Sequence, residues 1–187
     1  MKGFYAMRLE EKTLKSEVVY EGKIVTLKVD EVELPNGHTS KREVVNHPGG
    51  VAIAALTQEN ELLFVRQFRY PFKEVVLELP AGKLEKGTTP LENGKRELLE
   101  ETGAVGYNYI SLGAQMVSPG FCDEVVHLYL CRVEKFSEQS LDEDEFLNVE
   151  RIPIDKAVEM VLNNQIFDGK TQTAVLKTAM LLKSGAI

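Results

Sequence analysis

Apolar and polar residues alternate at strand spacing over much of the chain, and helical spacing is confined to a few stretches. Lys23–Leu34 carries alternating apolar residues (Ile24, Thr26, Val29, Val32), Pro35-Asn36-Gly37 supplies a turn and Lys41–Val45 returns, so a β-hairpin is expected there. Residues 1–47 as a whole read as strands. A hairpin with one flanking strand is marginal alone, so it must pack on the rest of the chain or on a second subunit. His47-Pro48-Gly49-Gly50 reads as a linker. Val51–Leu56, Leu62–Phe68 and Val75–Leu79 are further strands, the first two joined across Gln58-Glu59-Asn60. Tyr107–Val117 and Glu124–Val133 are strands enclosing the loop Ser118–Asp123, and Phe146–Ile152 is a strand after the acidic stretch Glu134–Glu145.

Helical patterns interrupt this series. Thr89 followed by Pro90 and Glu92 is a capping box with Pro at the first helical position, and Gly103 is a stop signal. Leu91, Leu98 and Leu99 between them face a core. A second helix is expected from Asp155 to about Asn163. A third begins near Thr171 with the stripe Val175, Leu176, Ala179 and Leu182. Strands first with helices on the flanks predict an α/β (α+β) chain whose mixed sheet is sandwiched by helices. The division expected is a small antiparallel β domain over residues 1–47 and a larger domain over 48–187.

Composition narrows the function. With 187 residues, 43% hydrophobic and 27% charged, the chain is an ordinary globular one with room for one good core. No apolar run exceeds Val51–Leu56, too short to cross a membrane. The opening MKGFYAMRLEEKTLK lacks the apolar core of a signal peptide, so a cytoplasmic protein without membrane attachment is expected. A net charge of −7 argues against a nucleic-acid partner. It also means that an anionic substrate needs metal ions and local Arg or Lys to be attracted. Cys122 and Cys131 lie in or beside apolar runs and read as free thiols, and His38, His47 and His127 lack zinc-ligand spacing.

The chemistry concentrates on the first helix. Glu97, Glu100 and Glu101 stand at i, i+3 and i+4, so their carboxylates share a face. Like charges so placed cost roughly 0.2–0.5 kcal/mol per pair, and Arg96 offsets only part of this. Gly94 inside the helix costs about 1 kcal/mol more relative to Ala. A divalent cation turns the repulsion into attraction, and an all-oxygen cluster suits Mg²⁺ or Mn²⁺. An isolated E-x-x-E-E is more often a solvated acidic face.

This one is not isolated. Gly82, Arg96, Glu97, Leu98, Glu100, Glu101 and Gly103 stand in the register of G-x5-E-x7-R-E-U-x-E-E-x-G-U, where U is a bulky apolar residue. The segment resembles the Nudix box. It departs at Thr88, where the family has its first Glu, and at Ala104. That first Glu mainly supports the Arg and the turn, and Glu85 or Glu92 is expected to take over its pairing with Arg96. Arg66-Gln67-Phe68-Arg69-Tyr70, Glu78-Leu79-Pro80-Ala81-Gly82, Ser118-Pro119-Gly120 and Ile166-Phe167-Asp168-Gly169-Lys170-Thr171 extend the likeness to the ADP-ribose pyrophosphatase branch. Pro119 stands where that branch has a proline.

The resemblance implies an α/β/α Nudix sandwich and a homodimer that exchanges its N-terminal strands, with an active site built from both chains. It implies that Glu97, Glu100 and Glu101, with the carbonyl of Ala81, hold Mg²⁺ (or Mn²⁺), Glu100 counting among the catalytic groups as well. A carboxylate before Phe146 is then general base or completes the metal shell; within Asp142-Glu143-Asp144-Glu145 the register favours Glu143, with Glu145 second. Arg69 would contact phosphates with Arg66 nearby, Glu78 the ribose or adenosine end, and Arg42 of the second subunit a further phosphate. The implied reaction is hydrolysis of ADP-ribose to AMP and ribose 5-phosphate. Other UDP- or GDP-sugars and a non-catalytic nucleotide sensor are the rival readings, the latter disfavoured by the intact glutamates.

Overall fold

A computed structural model describes residues 8–143 and 145–187. The chain divides into two compact units, one holding the chain up to Pro48 together with Met116–Glu124, the other Gly49–Gln115 and Val125–Ile187.

The smaller unit is a three-stranded antiparallel sheet of β1 (Lys12–Glu21), β2 (Thr26–Glu33) and β3 (Thr39–Asn46), in that order. The β2–β3 hairpin closes where the Pro35-Asn36-Gly37 signal stands. The Leu34 N–H donates to the His38 carbonyl at 2.8 Å, and Gly37 takes φ 82°, a left-handed conformation that glycine adopts without strain. Segment 116–124 is fastened to the end of β3: the Val45 N–H donates to the Phe121 carbonyl at 2.7 Å, and Asp123 accepts from the Asn46 amide and the His47 N–H. Every residue of β1 is exposed, and Val32 is the one buried hydrophobic side chain among the unit's described residues. A sheet this thin has little core of its own.

The larger unit is built round β4 (Gly50–Leu56), which is buried along its whole length. A continuous apolar run marks a strand covered on both faces, and β4 pairs in parallel with β9 (Val125–Phe136). The sheet order is β10 (Leu147–Pro153), β5 (Glu61–Arg69), β4, β9, β8 (Ala104–Met116). One face is covered by α2 (Ile154–Leu162) and α3 (Gly169–Lys183), with Leu62, Phe64, Leu77 and Leu79 meeting Ala157, Val161, Ala174 and Val175 in a single cluster. On the other face Val51, Ile53, Ala55 and Leu63 pack with Leu98 of α1 (Pro90–Thr102). The result is an α/β/α sandwich with a mixed sheet.

The sheet forks where the site forms. After the turn, β4 and β5 pair only at Leu56↔Leu62. Beyond that point β6 (Glu74–Glu78) pairs with β5 and β7 (Ala81–Lys83) with β4, so the segment 74–83 fills the gap between them. The short β7 was not foreseen in the sequence pattern. The fork sets Arg69, Glu78 and Ala81 at strand ends.

α1 approaches β4 closely because residue 94 lacks a side chain. A Cβ there would lie 2.6 Å from Ile53 Cδ1 and 2.9 Å from Val51 Cγ2, both on side chains with almost no exposure. Gly94→Ala should therefore destabilise the protein despite a helix-propensity gain of about 1 kcal/mol, because overpacking costs about 1–3 kcal/mol. Chemical denaturation measures this; a more stable variant would contradict the packing account.

Candidate active site

The caps of α1 set the carboxylates' position. The Thr89 N–H donates to Glu92 at 2.8 Å and the Glu92 N–H to Thr89 Oγ1 at 3.3 Å, while Gly103 turns left-handed (φ 69°) and donates to the Leu99 carbonyl. Between these ends Leu98 points into the core, and Glu97 and Glu101 are buried beside it, 8% and 2% exposed. Glu100 is half-buried. Gly82 makes room for the first of them, since a Cβ there would stand 2.0 Å from Glu97 Cδ. Glu101 reaches the sheet fork, accepting from the Ala81 N–H at 3.0 Å.

Arg96 occupies the midst of this cluster. Its guanidinium donates to Glu97 at 2.6 Å and Glu100 at 2.5 Å and pairs with Glu85 at 3.0 Å. Glu85 thus supplies the extra carboxylate, whereas Glu92 is committed to the helix cap. Thr88 holds the turn instead, donating to the Glu85 carbonyl at 3.1 Å and to Asn93 Oδ1. Among the described residues no acidic, His or Cys side chains converge on one point closely enough to hold a metal ion. The hydrogen bonds explain this: Arg96 takes up Glu97 and Glu100, and the Ala81 N–H takes up Glu101. The donor set is nonetheless the all-oxygen kind that a hard divalent ion prefers.

Electrostatics mark the same place. Burial pushes the Glu101 carboxyl up to about 8, with the charges of Glu97 and Glu145 adding to it and the Ala81 N–H and Arg69 opposing. Burial raises Glu97 as well, with Arg96 opposing and Glu100 and Glu145 adding. Glu78, 2% exposed, goes the other way. Burial alone would raise it, but the Arg69 hydrogen bond and the Lys170 charge hold it below the ordinary range. Arg69 grips Glu78 through Nε and Nη2, at 2.6 and 2.8 Å, and Lys170 donates to it from α3.

The residues singled out in the sequence divide accordingly. Glu97, Glu100, Glu101, Ala81, Arg69 and Glu78 belong to this one region. Glu145 acts electrostatically on both Glu97 and Glu101, whereas Glu143 is exposed and Asp144 lies outside the described residues. Arg66 continues the strand face of Leu62 and Phe64, opposite to that of Arg69, and pairs with Glu150. Arg42 and Pro119 belong to the smaller unit, where Arg42 is paired with Glu11 at 2.6 Å. Lys170 joins this region through Glu78, and the sequence motif that contains it does not single it out. A lysine in the first turn of a helix opposes the helix dipole and so calls for an acidic partner, which is the signal that could have found it.

The raised carboxyl has a consequence for metal-free protein. Between its ordinary value of 4.5 and about 8, folded Glu101 binds a proton that the unfolded chain has released, so stability falls as pH rises through that window. In EDTA the melting temperature should decline from pH 5 to pH 8 and the decline should flatten in Glu101→Gln; a profile identical in both proteins would contradict the assignment.

Known proteins resemble the chain over most of its length. The NUDIX domain family model matches residues 46–172, and the nucleoside diphosphate sugar hydrolase N-terminal domain matches residues 11–45. The chain is 46% identical over 168 residues to the methanol dehydrogenase activator of Bacillus methanolicus, covering 89% of this chain and 91% of that one. It is 44% identical over 169 residues to the ADP-ribose pyrophosphatase of Bacillus subtilis (strain 168), with the same coverage of 89% and 91%. The crystal structure of an ADP compounds hydrolase superposes with a TM-score of 0.83 at 19% identity, covering 96% of this chain and 98% of that one, a likeness of fold. With the box glutamates in place on α1 and the family model spanning most of the chain, the protein belongs to the Nudix hydrolases.

Proposed function

We propose that the protein hydrolyses the diphosphate of ADP-ribose to AMP and ribose 5-phosphate. The observation that carries this is a cluster of three carboxylates on α1, Glu97 and Glu101 buried and Glu100 half-buried, with Glu101 accepting from the Ala81 N–H at the sheet fork. Such a cluster suits a polyanionic substrate brought in with metal. The choice of ADP-ribose rests on the 44% identical ADP-ribose pyrophosphatase and on the N-terminal match to nucleoside diphosphate sugar hydrolases.

Nudix hydrolases use divalent metal. Here Glu97, Glu100, Glu101 and the Ala81 carbonyl would hold it as Mg²⁺, which neutralises phosphate oxygens and lowers the pKa of the attacking water. The rest falls to the chain's own groups. Arg69 draws the phosphates to the sheet fork, and Glu78 meets the ribose or adenosine end. Glu145 accepts the proton of the water that attacks phosphorus; its influence on Glu97 and Glu101 favours it over Glu143. The new bond is P–O from water, the bond broken joins that phosphorus to the bridging oxygen, and the leaving phosphate departs with ribose. No covalent enzyme intermediate is needed.

A homodimer is part of the proposal. The smaller unit, with its fully exposed β1 and with Leu14, Val18, Tyr20 and Ile24 all about half exposed, has apolar surface to bury against a second copy. Arg42 would then serve the second copy's phosphate subsite. Among the described residues no helix is long and apolar enough to cross a membrane.

The test is a panel of nucleotide sugars assayed with Mg²⁺. ADP-ribose should be turned over fastest, and a faster UDP- or GDP-sugar would overturn the assignment. Glu97→Gln should reduce turnover by about a hundredfold or more, the scale at which one charge-stabilising group is lost from an active site. A variant at the wild-type rate would remove Glu97 from the machinery.

A further inference from the structure

Glu78 is over-supplied with partners. Its side chain is 3% exposed and receives Arg69 Nε on Oε1, Arg69 Nη2 on Oε2 and Lys170 Nζ on Oε2. Two cations on one buried carboxylate exceed what burial requires, because one close, well-hydrogen-bonded partner suffices to keep it ionised. The two are not held alike. Lys170 is 15% exposed and braced a second time by Asp168 at 3.0 Å, and Asp168 is itself fixed as the N-cap of α3, accepting from the Thr171 N–H. Thr171 Oγ1 in turn accepts from the Leu79 N–H at 2.9 Å, which ties the end of β6 to the start of α3. Arg69, at the end of β5, is 39% exposed and has Glu78 as its one ion-pair partner among the described residues. It also lies close enough to Glu101 for each to affect the other's proton affinity.

We infer that Lys170 is a positioning residue: it is the resident counter-ion of Glu78, and it allows Arg69 to leave Glu78 for the substrate's diphosphate. The exchange is balanced. Arg69 carries its two donors to phosphate oxygens, Lys170 stays on Oε2, and the vacated Oε1 accepts from a ribose hydroxyl. Without Lys170 the same movement would strand a buried charge, so Arg69 would remain locked on Glu78 and the phosphate subsite would lose its cation. Asp168 keeps Lys170 aligned throughout, which gives the Asp168-Gly169-Lys170-Thr171 stretch a role in recognition without a contact to substrate. The inference deepens the proposed function and rests on it for the identity of the ligand.

Binding of a non-hydrolysable ADP-ribose analogue in the presence of Mg²⁺, measured by calorimetry, and kcat for ADP-ribose with Mg²⁺ test it together in Lys170→Met, Lys170→Arg, Glu78→Gln and the double variant Glu78→Gln/Lys170→Met. Lys170→Met should weaken binding on the order of tenfold or more with a much smaller change in kcat, the pattern of lost binding that is common to ground and transition states. Lys170→Arg should restore most of the affinity. In the Glu78→Gln background, where no buried charge remains to be compensated, Lys170→Met should have little further effect. An equal penalty in both backgrounds, or unchanged affinity in Lys170→Met, overturns the inference, and the double variant keeps the test open if Lys170→Met alone unfolds. Wild-type binding without turnover would sink the proposed reaction and leave the exchange to be decided by the affinities; absence of binding would overturn both.

Discussion

Mutual repulsion among Glu97, Glu100 and Glu101 is the constraint to which the rest of the larger unit answers. Three carboxylates within five residues of one helix oppose both helix formation and burial, yet Glu97 and Glu101 are almost wholly buried. Local devices hold them there. The capping box and the left-handed Gly103 fix the ends of α1, Gly94 lets the helix approach β4, and Gly82 clears the space that Glu97 fills. Arg96 then draws Glu97, Glu100 and Glu85 together.

The fork between β4 and β5 gives the second half of the arrangement. Segment 74–83 crosses from one side of the gap to the other, carrying Glu78 at the end of β6 and Ala81 at the start of β7. Both Glu78 and Glu101 are buried, but their proton affinities move apart because their partners differ. Glu78 has two cations and is held ionised; Glu101 has one backbone N–H, a more distant arginine and acidic neighbours. Carboxylates driven apart by their surroundings take different tasks. In the proposed reaction the first accepts from a sugar hydroxyl and the second is a metal ligand.

What the sequence made legible was the part decided by neighbours along the chain. The boundaries of α1 follow from Thr89, Pro90, Glu92 and Gly103, all within reach of the groups they cap. β4 was visible as a short apolar run, and the Nudix register placed the three glutamates. What stayed hidden depends on residues far apart in sequence. β7 is three residues long and exists only because β4 leaves it an edge. Strand alternation puts Arg66 and Arg69 on opposite faces, but which face meets α1 is settled by tertiary packing. The loop register favours Glu143, and the charge of Glu145 raises the proton affinity of both Glu97 and Glu101. Lys170 is 92 residues from its partner Glu78, and no local pattern joins them. Thr88 looked like a defect in the box; the turn it ties to Asn93 leaves Glu85 to serve Arg96.

If Glu97, Glu100 and Glu101 hold Mg²⁺ as proposed, binding the ion must release the proton whose retention burial favours on Glu101. Calorimetric titration with Mg²⁺ at pH 7, repeated in buffers of different ionisation enthalpy, counts that proton directly. The account predicts release of about one proton per protein at pH 7, falling toward none by pH 9 once Glu101 is already ionised. Binding without proton release at pH 7, or no binding at millimolar Mg²⁺, would contradict it.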